Sequence, residues 1–185
     1  MPIVGQFGSL AGFGVFPGGA LESIATVTVG SGGSTSLTFS DIPGGFQHLQ
    51  LRVALIANTA SGGGAQYGYV RFNSDTGTNY AWHNIYGTGS AVSVESGTSV
   101  NRIQTLYTDS ATYLSVGVID ILDYASTSKN KTLRRFTGRD FNGSGVVDVG
   151  SGLWMSTSAV TAVSITATTN SFGQYSTAAL YGVRA

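Results

Sequence analysis

Turn-forming residues punctuate this chain too often for any long regular element to form. Clusters rich in Gly, Ser, Asn and Asp stand at 31–34, 60–66, 73–79, 126–131 and 142–145. Between them lie short runs such as SIATVTV (23–29), HLQLRVALI (48–56), YGYVRF (67–72) and VTAVSITATT (160–169), rich in β-branched and aromatic residues. Several of these runs alternate with period two, the signature of strands with one face buried. The spacing predicts about ten to twelve short strands in an all-β, antiparallel β-sandwich. Asn142-Gly143-Ser144-Gly145 reads as a hairpin turn, with separate strands expected at VVDVG and LWMS after it. No run of strong helix formers competes with this reading.

Composition narrows what such a sandwich does. Of 185 residues only 10% are charged, and formal net charge is zero. Ser and Thr make up about a quarter of the chain, so hydroxyls and glycine carry its polar surface. A neutral, sparsely charged surface has little repulsion to hold copies apart and suits an assembly. It lacks the basic excess on which direct nucleic-acid binding depends. With no cysteine, neither disulfides nor thiolate metal sites are expected. No apolar run reaches the length of a membrane helix, so no membrane partner is expected.

Residues 1–21 stand apart from the strand-rich 22–185. Six glycines between Gly5 and Gly19 alternate with Phe7, Phe13 and Phe16. Helix is excluded at that glycine density. The segment reads as an extended arm whose three phenylalanines anchor it in a partner's groove, since ordering a Gly-rich tail needs compensating contacts.

Catalytic groups are scarce. His48 and His83 are the chain's two histidines, and neither sits in a motif that would make it a base. Asp75-Thr76-Gly77 spells the aspartic-protease triplet, but Asn73 and Ser74 precede it where apolar residues would be needed. Asp-x-Gly between strands reads as a turn. The loops around Asp75 and around Asp140, Asn142 and Asp148 lack the regular acidic spacing of a calcium site. The chain is therefore expected to be no enzyme and to hold neither cofactor nor metal. Five of the nine basic residues, Lys129, Lys131, Arg134, Arg135 and Arg139, fall within eleven positions. Adjacent Arg134 and Arg135 point to opposite faces of a strand, which spoils a flat basic patch and suits charges at a subunit interface. Tyr80, Trp82 and Tyr86 share one face of YAWHNIY. They fit either a core or a platform for stacking a glycan.

Residues 71–83, RFNSDTGTNYAWH, resemble a recurrent segment of small structural proteins of tailed bacteriophages, including cyanophages. So do Asn130-Lys131-Thr132, Asn142-Gly143-Ser144-Gly145, Ser151-Gly152-Leu153-Trp154-Met155 and Ala179-Leu180-Tyr181-Gly182-Val183, and the likeness covers most of residues 23–184. The resemblance implies a jelly-roll-type sandwich in a virion, on the outer surface of the head or on the tail. An apolar arm on a compact body suits a capsid decoration, or cement, protein. It would bridge major capsid protein or other virion subunits and self-associate as a homotrimer. A tail, baseplate or fibre-associated part is the alternative, and a host-glycan-binding module is a second.

Overall fold

The computed structural model describes residues 20–58, 66–108 and 110–184. The arm anchors Phe7, Phe13 and Phe16 lie outside the described residues. Twelve strands follow one another without a helix among the described residues. They are β1 (Leu21–Thr28), β2 (Ser36–Phe39), β3 (His48–Leu55), β4 (Tyr67–Phe72), β5 (Tyr80–Gly87) and β6 (Val92–Val100). Then come β7 (Ile103–Tyr107), β8 (Ser115–Leu122), β9 (Lys131–Asp140), β10 (Gly145–Trp154), β11 (Val163–Ala167) and β12 (Thr177–Val183).

All pairs are antiparallel, in one eight-stranded sheet ordered β1-β12-β3-β8-β9-β10-β5-β6 and one four-stranded sheet ordered β2-β11-β4-β7. Setting aside the hairpins β5–β6 and β9–β10 leaves β1-β12-β3-β8 facing β2-β11-β4-β7. Strands nested in sequence then pair with one another, the wrapping of a jelly roll. The two hairpins are insertions in that frame, and together they double the width of one sheet.

The core lies mainly between the eight frame strands, with Tyr80, Leu133 and Trp154 of the inserted hairpins packed into it. Leu49, Leu51 and Leu55 of β3, Ile119 and Ile121 of β8, and Leu180 of β12 meet Leu37, Val70, Phe72, Val163 and Ile165 of the smaller sheet. The apolar character of β3 follows from its central place, and its outward positions remain half-buried or charged, as at Arg52. The SGGS segment after β1 carries the chain across to the other sheet, since β1 and β2 belong to different sheets. One expectation needs revision. The segments VVDVG and LWMS are not two strands, since β10 runs unbroken from Gly145 to Trp154. The turn before it forms as expected: Asn142 (φ 57°) and Gly143 (φ 120°) take left-handed backbone and Phe141 N donates to Ser144 O at 2.7 Å.

The Asp75 turn is a structural lock. One carboxylate oxygen accepts from Gly77 N at 2.8 Å; the other accepts from Asn79 Nδ2 at 2.8 Å and Trp154 Nε1 at 2.7 Å. Neighbouring Asn73 accepts from the backbone of Thr161 and Ala162 at 2.8 and 3.0 Å. Segments 71–83 and 151–155 thus meet in space through Asp75 and Trp154, and they serve the fold. These hydrogen bonds hold the Asp75 carboxyl below its usual range, those from Asn79 and Gly77 foremost. A lowered folded pKa means the stabilisation is complete above the ordinary carboxylate pKa and fades as pH falls through the lowered value. Unfolding midpoints measured in urea should therefore drop below about pH 4. Asp75→Asn should flatten that acid limb while costing about 1–2 kcal/mol at neutral pH.

Candidate functional site

In an antiparallel sandwich each strand normally turns its apolar side chains inward and its polar ones to water. Over part of their length the inserted strands do the reverse, although Tyr80, Leu133 and Trp154 still point into the core. Facing inward are Arg135 and Thr137 of β9, Asp148 of β10, Asn84 of β5 and Glu95 of β6. Facing outward are Phe136, Val147, Val149, Ile85, Val92 and Val94, with Val94 75% and Phe136 60% exposed.

The inward polar groups are assembled against β7, the edge of the smaller sheet. Its register with β4 shifts between Gly68 and Tyr69, so Thr105 bulges out of the ladder. The bulge re-aims the Thr105 carbonyl, which accepts from Arg135 Nη1 and from Thr137 Oγ1. The Thr105 hydroxyl turns back to Gly68 O at 2.7 Å. Arg135 Nη1 also lies 2.6 Å from an Asp148 carboxylate oxygen, both side chains being almost wholly buried. Asn84 Nδ2 donates to the other oxygen at 2.6 Å. Gly150 leaves room for the guanidinium: a Cβ there would lie 2.7 Å from Arg135 Nε and 2.9 Å from His83 O. Further out, Gln104 Nε2 of β7 donates to Glu95 of β6 at 3.1 Å. Burial pushes the Arg135 guanidinium down and the Asp148 carboxyl up, each against its partner's attraction. Desolvation thus outweighs attraction in both groups, as expected for an ion pair taken out of water.

The outward groups form a continuous apolar field. One row crosses the sheet through register partners Val94, Ile85, Val149, Phe136 and Val118. The next row is Val92, Gly87, Val147, Gly138 and Val116. None of these ten positions is charged, and eight carry an aliphatic or aromatic side chain. Together they expose several hundred Å², at or above the largest patch typical of a monomer. Beyond lies a polar row of Ser96, His83, Ser151, Arg134, Asp120 and Gln50. Phe136 stands out from the field. A groove of about 650 Å³ runs past Ile85, Val94 and Val149, and a second of about 420 Å³ past Val116, Val118 and Phe136 itself.

The basic cluster is taken apart by the fold. Lys131 is fully buried, its Nζ donating to the carbonyls of Ser126 and Lys129 at 2.7 Å and of Thr157 at 3.3 Å. Arg135 is interior. Neither is an interface charge: each replaces water with protein acceptors that only a folded chain brings together. Arg139 stacks on Tyr107 and Phe141 at 4.6 and 4.7 Å from their ring centres. Lys129 lies at the surface, 2.7 Å from Asp123, and Arg134 is exposed on the outer face. Arg134 and Arg135 do point to opposite faces.

Tyr80, Trp82 and Tyr86 share the inner face of β5. Tyr80 is fully buried and its hydroxyl is bonded to the Phe72 backbone, so it cannot stack on a sugar. Trp82 packs half-buried against the core, and Tyr86 meets Tyr107 edge-on at 6.0 Å. The outward field had a sequence signal, alternate valines at Val147 and Val149 in VVDV and at Val116 and Val118 in SVGV, but alternation alone did not say which parity faces water. In comparisons with known proteins, no family model, no curated protein and no solved structure matches this chain.

Removing one partner of the buried pair strands the other. Arg135→Met should cost about 3–5 kcal/mol in urea unfolding, and Arg135→Met with Asp148→Leu should recover most of the loss.

Proposed function

We propose that this chain is a structural subunit of a tailed-bacteriophage virion, without catalytic activity, that decorates the capsid and cements neighbouring subunits. The observation that carries the reading is the outward apolar field on the inserted strands. A monomer gains nothing from exposing it, whereas a subunit of an assembly gains its burial at about 25 cal/mol per Å². The residues that resemble phage structural proteins supply the class of assembly. The Phe7, Phe13 and Phe16 arm supplies the attachment to the shell, and contacts between copies on that shell reinforce it through effective concentration. Repeated around a shell, such contacts add up against internal pressure. Major capsid protein is the partner this reading names.

The test is the virion itself. Particles of the phage that encodes the chain are gradient-purified and labelled with antibody against the chain. Label over the heads is expected, and addition of a variant lacking residues 2–20 to heads stripped of the protein should give binding weaker by at least tenfold. Label confined to tails moves the assignment to a tail or baseplate part. Absence from purified particles overturns it.

A further inference from the structure

The outward field has one occupant that its own shape favours. We propose that it is the contact between two copies of this chain, packed sheet against sheet about a two-fold axis running along β10.

Three features lead there. The first is polarity. The strands of the insertion turn Arg135, Asp148, Asn84 and Glu95 inward and aliphatic residues outward, so the covered side of a second sheet is already built. Packed sheets lie about 10 Å apart with interdigitating side chains, and the outward row is of the Val, Ile and Phe type found in such interiors.

The second is self-complementarity. An isologous contact requires that a knob and its hollow occur on the same surface, each serving the other copy. Phe136 on β9 is the knob, next to Val149 of β10. The larger groove crosses β10 from Arg134 of β9 to Val94 of β6, with Ile85, Val94 and Val149 on its apolar side and His83, Ser96, Ser151 and Arg134 on its polar side. Strands are spaced about 4.8 Å apart, so rotation about β10 carries each Phe136 onto the partner's Ile85 and Val94. Val149 falls near the axis and meets its own copy.

The third is charge and area. The ten positions of the field carry no charge, and the chain's formal net charge is zero, so nothing repels an identical surface. The apolar field with its polar rim of His83, Arg134 and Asp120 approaches the roughly 800 Å² per partner of a standard stable interface. A face of this kind closes two-fold, in place of the three-fold association expected from the resemblance.

This rests on the face alone and not on which assembly the chain joins, so it is tested on purified full-length chain in solution. Sedimentation equilibrium at micromolar concentration should give twice the chain mass of 19.0 kDa. Phe136→Asp should weaken the dimer by at least about 100-fold, because it would bury an unpaired carboxylate. Its circular dichroism and urea midpoint should stay near those of the wild type, Phe136 being outside the core. Since the chain has no cysteine, Val149→Cys should cross-link to a covalent dimer with a short bis-maleimide, whose reach suits sheets about 10 Å apart where a direct disulfide would not. Thr26→Cys, far along the same sheet on β1, should not. A wild type that stays monomeric at high concentration overturns the proposal. So does a trimer, a dimer indifferent to Phe136→Asp, or a monomer that dimerises only after residues 2–19 are removed; the last would mean that the arm covers the face.

Discussion

The buried pair between Arg135 and Asp148 is the contact on which the width of the larger sheet depends. A jelly-roll frame needs eight strands; four more here extend one sheet past the edge of the other. One end of the inserted strands rests on the core through Tyr80, Leu133 and Trp154, but the other end needs a different anchor. Arg135 supplies it by reaching the bulged Thr105 carbonyl of β7 while holding Asp148 of the adjacent strand, with Asn84 on the next strand completing the chain. Charge-assisted contacts in a low-dielectric interior are directional and exact a heavy penalty when broken. They fix register and overhang where apolar packing would tolerate slippage.

That arrangement has a consequence for the opposite side. Side chains alternate strictly along a strand, so seating the polar residues of β5, β9 and β10 inside forces their aliphatic neighbours out. Phe136 is exposed because Arg135 is buried, and Val147 and Val149 because Asp148 is. The apolar field is the other face of the ion pair. A structural polar network and an exposed apolar surface thus come from the same strands in alternation.

Much of the fold was legible in the chain. Turn clusters placed nearly every strand, the hairpin at Asn142 and Gly143 formed as its residues require, and Asp75 proved to be a turn residue held by Asn79 and Trp154. Misreadings fell where chemistry changes with environment. Lys131 and Arg135 looked like surface charges because cations usually are. Lys131 is held by the nearby carbonyls of Ser126 and Lys129 and by that of Thr157, 26 positions away, while the Thr105 carbonyl that takes Arg135 lies 30 positions away and is freed only by a bulge.

The sequence by itself determined which residues share a face: Tyr80 with Trp82 and Tyr86, Arg135 with Thr137, Val147 with Val149. Period two is a local property of extended backbone and needs no partner to be read. Only the tertiary structure decided which of the two faces is the inside. That depends on what lies across from the strand, and here the edge of β7, with its bulged and buried Thr105 carbonyl, selected the charged side and left the apolar side facing outward.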